Sequence, residues 1–121
     1  MTILDIYVAL QAQLKPIGLT VYKEVKPTSE KGNCFVLNSV PISKNNVNTV
    51  NDIVVLLYLN KINGMFDKNT AESLFTQVES AVQDMIVSNS LVTMNERLDA
   101  NTINLDDTYT VSDFTFRLIT Y

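Results

Sequence analysis

Residues 50–61 read VNDIVVLLYLNK, and this stretch decides the fold. Its centre is an unbroken apolar run of the residue types that strands favour, chiefly Val, Ile and Leu. The run is far shorter than the ~20 residues that a helix needs to cross a bilayer. Asn63 and Gly64 follow it as a turn signal. The pattern predicts a long strand near the centre of a sheet.

The predicted central strand is apolar on both faces. One face carries Val54, Leu56 and Tyr58, and the other carries Ile53, Val55, Leu57 and Leu59. An antiparallel sheet with helices on one side normally keeps its other face polar. Two explanations therefore stay open: the sheet curls and covers itself, or a neighbouring subunit covers the second face.

An amphipathic helix is predicted over residues 2–14, ahead of the strands. Its apolar residues recur at helical spacing, and Thr2 with Asp5 forms a variant of the N-terminal capping box. Pro16 and Gly18 then end the helix.

A second helix is predicted over residues 69–87, starting near Asn69 with Glu72 at the capping-box position. Its apolar stripe comprises Leu74, Phe75, Val78, Ala81, Val82 and Met85. Further strands are predicted at residues 19–25, 34–42, 90–98 and 112–121, and residues 99–111 are predicted as a loop or the start of a hairpin. The order α-β-β-β-α-β-β, with short polar connections, predicts a single α+β domain over residues 1–121. We expect a mainly antiparallel sheet with two helices on one face.

Composition excludes much chemistry. The chain has no His, no Trp, one Cys and three Gly, so zinc and haem sites lose their commonest ligands. We therefore expect no catalytic residue, no metal and no cofactor. Cys34 lies in a strand pattern and is predicted to be a small buried hydrophobic residue. The N-terminal segment lacks a basic region and contains Asp5, so no signal peptide is predicted, and we expect a soluble protein made in a reducing compartment.

Charge is distributed unevenly around a net value of −4. Five of the eight acidic residues in 69–121 cluster in and beside residues 99–113: Glu96, Asp99, Asp106, Asp107 and Asp113. A calcium site would need regular spacing and a Gly, and both are missing here. A solvated acidic loop and an acidic wall that lets DNA slide past are the other interpretations.

The element order resembles that of the tail terminator, or tail completion, proteins of long-tailed bacteriophages. The segments that carry the resemblance are TILDIYVALQAQL, LTVYKEV, CFVLNSV, NDIVVLLYLNKI, NTAESLFTQVESAVQDM and DFTFRLITY, which span nearly the whole chain. The resemblance rests on size, order and hydrophobic pattern, without a diagnostic motif. It implies a virion protein, assembled in the bacterial host cytoplasm and located at the neck end of the tail.

The resemblance implies further that the chain forms a homohexameric ring. Such a ring would cap the tail tube protein, meet the head-tail connector protein and let genomic DNA pass without specific binding, with no membrane involved. From the sequence itself, loops 26–33 and 43–49 are longer than tight hairpins need. They supply the expected subunit contacts: Lys26, Glu30, Lys31, Lys44, Asn45 and Asn46. The five acidic residues Glu96, Asp99, Asp106, Asp107 and Asp113 are expected to face the channel.

Two other classes of function stay open. One is a small soluble α+β regulatory or binding domain that holds a protein or a small ligand on its sheet. The other is an enzyme whose site carries no recognised motif. A ring of about six subunits would separate the assembly protein from the binding domain.

Overall fold

In the computed structural model, the chain folds into two helices and one sheet that contains both antiparallel and parallel strand pairs. The structure describes residues 3–44, 49–82, 86–87 and 90–120. The elements are α1 (Ile3–Leu14), a 3-10 turn (Lys15–Ile17), β1 (Thr20–Lys23), β2 (Cys34–Lys44), β3 (Thr49–Asn60), α2 (Lys68–Val82), β4 (Ile86–Val87), β5 (Ser90–Asn104) and β6 (Tyr109–Thr120). This confirms the predicted α+β class and element order, to which the structure adds the two-residue strand β4.

The long apolar run is the centre of the sheet, as predicted. The strand order is β1-β2-β3-β6-β5-β4, and β3 pairs antiparallel with both β2 and β6. Leu57, for example, stands opposite Phe35 on one side and Ser112 on the other. Pairing along both edges makes β3 a central strand. Its two apolar faces have a second requirement, because apolar residues suit both faces of a strand only where both faces of the sheet are covered.

Strand β1 departs from the expected antiparallel pairing. It runs parallel to β2, with Thr20 opposite Cys34 and Lys23 opposite Leu37. Two strands joined by a hairpin must be antiparallel, whereas parallel strands need a crossover of about a dozen residues or more. Residues 24–33 provide a short crossover here. The polar composition of this segment correctly predicted a loop, but it did not show that the loop crosses over the sheet.

Both helices pack on one face of the sheet, which we call the helix face. The strands contribute side chains that are almost wholly buried there, among them Ile53, Val55 and Leu57 at 0% exposure. Phe114 of β6 stacks on Phe75 of α2, with ring centroids 4.7 Å apart. The remaining core residues are Ile6, Tyr7, Leu10, Leu14, Phe35, Leu37, Leu59, Ala71, Leu74, Val78 and Val82. The predicted placement of both helices on one face is confirmed.

Helix ends follow local capping chemistry. Gly18 stops the first helical segment with φ of 98°, a left-handed conformation that suits glycine. At the start of α2, Asp67 accepts the Thr70 N–H at 3.3 Å, so Asp67 is the N-cap and not the predicted Asn69. The predicted Thr2 cap lies outside the described residues.

The second helix is shorter than predicted. It ends at Val82, residues 83–85 lie outside the described ranges, and Ile86–Val87 form β4, which pairs with Ser90 and Leu91 of β5. The prediction of helix through residue 87 is therefore wrong at its end. The last residue of the predicted stripe, Met85, lies outside the described residues, and Ile86–Val87 pair with a strand instead of extending the helix.

The final hairpin is longer than predicted. β5 runs to Asn104 and β6 begins at Tyr109, so the hairpin alternative offered for residues 99–111 is the correct one. The register of β5 against β6 shifts by one residue twice, between Met94 and Arg97 and between Arg97 and Ala100. These shifts are β-bulges, which bend and twist a strand locally.

Candidate assembly surfaces

The second face of the sheet, which we call the open face, is covered at one end by the crossover segment, residues 24–33. The segment starts with a three-residue turn in which the Val25 N–H donates to the Lys23 carbonyl oxygen at 2.7 Å. Glu24 at the centre of this turn has φ of 67°, a conformation that residues other than glycine seldom adopt. The turn takes the chain off the edge strand and across the open face.

Lys26 anchors the crossover segment on two aromatic rings. Its Nζ lies 5.7 Å from the Tyr58 ring centroid and 5.1 Å from that of Tyr109. The same atom donates to the carbonyl oxygens of Pro27 and Glu30, each at 3.1 Å. Cation–π contacts of this kind contribute roughly 0.5–1 kcal/mol each at exposed sites. The ammonium group thus joins the segment to β3 and β6.

Tyrosine hydroxyls complete this attachment. Tyr109 donates to the carbonyl oxygen of Gly32 at 2.9 Å, with that of Glu30 at 3.2 Å. Tyr22 donates to Glu30 Oε1 at 2.9 Å, and the Gly32 N–H donates to Glu30 Oε2 at 3.2 Å. The Tyr22 bond, together with the Gly32 N–H, lowers the pKa of the Glu30 carboxyl, and the same Tyr22 bond raises the pKa of that tyrosine.

The chain therefore covers this end of the open face by itself. Cys34 and Val36, which point to the open face by register, are 0% and 1% exposed. Burial raises the pKa of the Cys34 thiol to about 11, and the predicted buried role of Cys34 is confirmed. The covering element is a loop, which neither of the two explanations from the sequence had specified.

The other end of the open face is half-exposed. Val54 and Leu56 are partly buried there. Arg117 of β6 donates from Nε to Asp52 Oδ1 of β3 at 2.9 Å and from Nη2 to Oδ2 at 3.3 Å. Two parallel bonds of this type fix the orientation of the guanidinium group across the strands.

Four of the six predicted contact residues lie in the described part of the chain. Lys26 and Glu30 bond within the crossover segment, while Lys31 is exposed. The other three are Lys44, which ends β2, and Asn45 and Asn46, which lie outside the described residues.

The structure separates the predicted channel acids into two groups. Asp106 and Asp107 lie in the turn between β5 and β6. Asp106 Oδ1 accepts the N–H groups of Thr108 and Tyr109, each at 2.8 Å, and these bonds lower the pKa of its carboxyl. Asp106 therefore has a structural role in closing the hairpin.

The other three acids lie at neighbouring positions along the hairpin. Asp113 stands opposite Asn101, and the bulged residues of β5 that contain Asp99 and Glu96 lie opposite Thr115 and Arg117. The bulges thus place Glu96 and Asp99 on the backbone beside the middle of β6.

Exposed apolar residues form two groups that the sequence analysis missed. The first group, which we call the turn patch, comprises Ile62, Met65, Ile103 and Leu105, which are 49–71% exposed. The second group lies at a groove between α1 and the end of β1, which we call the α1 groove. Leu4 lines this groove, and Val8 and Val25 follow its lining residues Tyr7 and Glu24 in the chain; these three apolar residues are 54–73% exposed. Single exposed apolar residues are common, but a group of them marks a contact surface.

A two-residue turn holds the turn patch rigidly. Ile62 and Met65 bond to each other through both backbone groups, at 2.9 Å and 3.0 Å. Between them, Asn63 and Gly64 both have positive φ, at 53° and 75°, as a tight hairpin turn requires. The Lys61 N–H also donates to the Thr108 carbonyl oxygen at 2.8 Å, which ties this turn to the β5–β6 turn. The Asn-Gly signal located the turn in the sequence, but exposure depends on the tertiary structure.

We expect Tyr109→Phe to loosen the crossover segment. The change removes the hydroxyl that bonds the carbonyl oxygens of Gly32 and Glu30, at a cost of about 1 kcal/mol in the free energy of unfolding. Urea denaturation measures the loss, and amide exchange should become faster within residues 24–33. Tyr58→Phe is the matched control, since it keeps the ring contact and should change stability by less than about 0.5 kcal/mol. Equal losses in the two variants would show that the Tyr109 hydroxyl does not hold the segment.

Within the described ranges, no three metal-binding side chains gather into a group. No helix in those same ranges is long and apolar enough to cross a membrane.

The fold occurs in a protein of a virus-like particle. A chain of the native gene transfer agent virion particle superposes with a TM-score of 0.71 at 20% sequence identity, covering 94% of this chain and 92% of that chain. A second solved structure, which carries no functional name, superposes with a TM-score of 0.62 at 13% identity and covers 100% and 96% of the two chains. No protein-family model matches the sequence, and no curated protein matches it. At these identities the likeness establishes a shared fold.

Proposed function

We infer that this chain is a structural component of a phage-like virion and works as an assembly part, not as an enzyme. The observation that carries this inference is the fold shared with the gene transfer agent virion chain, over nearly the full length of both chains. The resemblance drawn from element order leads to the same class of particle. Two separate exposed apolar groups also suit a protein that contacts more than one neighbour.

Within the virion, we place the chain in a ring that ends the tail tube and joins it to the head. A ring of about six copies, with DNA passing through, follows from the resemblance to tail terminator proteins. Two distinct apolar surfaces on one subunit support this arrangement, because a ring needs two different contact surfaces on each copy.

The middle of the β5–β6 hairpin, which carries three acids beside Arg97 and Arg117, is our candidate for the channel lining. Glu96, Asp99 and Asp113 occupy neighbouring register positions there. Carboxylates repel the DNA backbone and make none of the Lys or Arg contacts to phosphates that bind duplex DNA. Asp106 and Asp107 lie at the turn instead, so we do not assign them to the lining.

The test is to locate the chain in particles made by the genome that encodes it. We expect an antibody against a tagged copy to label the head-proximal end of the tail in electron micrographs. Deletion of the gene should give heads and tails that fail to join, with tail tubes of irregular length. Native mass spectrometry of the assembled protein should give about six times the 13.6 kDa chain mass. Absence of the chain from purified particles, with a monomer in solution, would instead support a small binding domain.

A further inference from the structure

We propose that the turn patch of one copy docks into the α1 groove of the next copy, head to tail. This proposal rests on the proposed ring and names the surfaces that would build it. Of the seven large apolar side chains found exposed in the described part of the chain, four form the turn patch and Leu4 lines the α1 groove. Val8 and Val25 directly follow the lining residues Tyr7 and Glu24 in the chain.

The two surfaces lie toward opposite edges of the sheet. The α1 groove adjoins β1, at one edge, and the turn patch includes Ile103 and Leu105 at the end of β5, near the other edge. Three strands separate β1 from β5, a distance of about 19 Å at the usual spacing of strands. A contact between two different surfaces is heterologous, so it repeats from copy to copy and closes into a ring if the rotation allows.

The α1 groove has the size and lining to receive an apolar side chain. It is an open surface groove with a volume of about 250 Å³, lined by Leu4, Tyr7, Lys23 and Glu24. Leu4 is 59% exposed, whereas Tyr7 is 4% exposed and forms part of the core beneath it. The residue of the turn patch that lies in the β5–β6 turn is Leu105, which is 49% exposed. Covering both would remove apolar surface that is in water in the single copy.

Charges around the two surfaces complement each other. Asp107 follows Leu105 by two residues in the turn, and Lys23 lies on the wall of the α1 groove. In the same way, Lys61 precedes the turn patch and Glu24 lies beside Lys23. Opposite charges at the rim of a contact orient the partners more than they tighten the binding. The occupant that matches both the apolar and the charged parts of the groove is therefore a second copy of this chain.

A disulfide between the two surfaces tests the contact. A chain carrying both Leu4→Cys and Leu105→Cys should give a ladder of covalent oligomers under mild oxidation, seen by electrophoresis without reductant. A disulfide forms only when the two Cα atoms come within about 7 Å, so it reports the contact itself. The native Cys34 is fully buried, and its raised thiol pKa keeps it out of the reaction.

The single variants provide the matched controls. Leu4→Cys alone and Leu105→Cys alone should stay uncrosslinked, and an equal mixture of the two should stop at a covalent dimer. No ladder from the double variant, or dimers from either single variant as abundant as those from the mixture, would overturn the proposal. The second of those results would indicate a two-fold contact or random collision.

Charge reversal gives an independent readout of the same contact. Lys23→Asp and Asp107→Lys should each lower the yield of the ladder, by roughly two- to fivefold, the effect of one rim ion pair. Combining both reversals in one chain should restore the yield if the two residues meet. The failure of this contact and the failure of the proposed function can be told apart. If the double variant gives a ladder but the chain is absent from virions, the contact is supported and the virion role is rejected. If labelled rings appear on tails but no ladder forms, the virion role is supported and this contact is rejected.

Discussion

Phe114→Ala is expected to lower the free energy of unfolding by about 3–5 kcal/mol, the usual cost of truncating a large buried aromatic side chain. Phe114 is 0% exposed and stacks on Phe75 across the interface between sheet and α2. The loss would take a fifth or more of the 5–15 kcal/mol that typically stabilises a domain. Thermal unfolding should shift down by roughly 10–20 °C.

Two variants bracket this expectation. Phe114→Leu keeps most of the buried volume and should cost clearly less. Ile103→Ala, on the same hairpin but 60% exposed, should change stability by less than about 0.5 kcal/mol. A small loss for Phe114→Ala would mean that α2 does not form the core with β6.

If the chain forms the proposed ring, reversal of two acids is expected to create DNA binding in it. Glu96→Lys with Asp99→Lys changes each subunit by four charges and places lysines beside the middle of β6. If the ring then makes about six phosphate contacts, its affinity for duplex DNA should fall about 10³-fold between ~50 mM and ~200 mM salt. Fluorescence anisotropy of a labelled duplex at several salt concentrations measures both the gain and its salt dependence.

The control makes the same charge change elsewhere. Glu72→Lys with Glu79→Lys reverses two acids on α2, which packs on the helix face of the sheet. We expect weaker binding from this pair, because its lysines would not line a channel. Equal binding by the two double variants, or binding of DNA by the unmodified protein at micromolar level or tighter, would reject the acidic channel.

The fold could be predicted because the main signals are local. The run at 50–61 identified the central strand, and the helical spacing of Leu74, Phe75 and Val78 identified α2 and its buried face. The last turn of α2 could not be predicted, since the pairing of Ile86–Val87 with β5 depends on a contact that the helical stripe does not encode.

The surfaces were harder to predict, for physical reasons. Lys26 looks like a solvated loop lysine in the sequence, and its place over Tyr58 and Tyr109 depends on where the crossover passes. Ile62 and Ile103 look like ordinary strand residues, and only the tertiary structure shows that nothing in the described chain buries them. The five acids were identified as a group because they lie close together along the chain. The register of the hairpin instead divides them between its turn and its middle.

The path of the crossover segment has a consequence for how the chain folds. Tyr109 bonds backbone atoms that precede it by 77 and 79 residues, and Thr110 bonds Leu59 across 51 residues. The loop-closure entropy for such distant partners must be lost before their contacts form, and sheets rich in long-range pairs fold in roughly milliseconds to seconds. The bonds from Tyr109 to the crossover segment cannot form until β6 has found its place beside β3. Full attachment of this segment to the open face is therefore a late event in folding, and a chain halted before it would expose the apolar centre of the sheet to other chains.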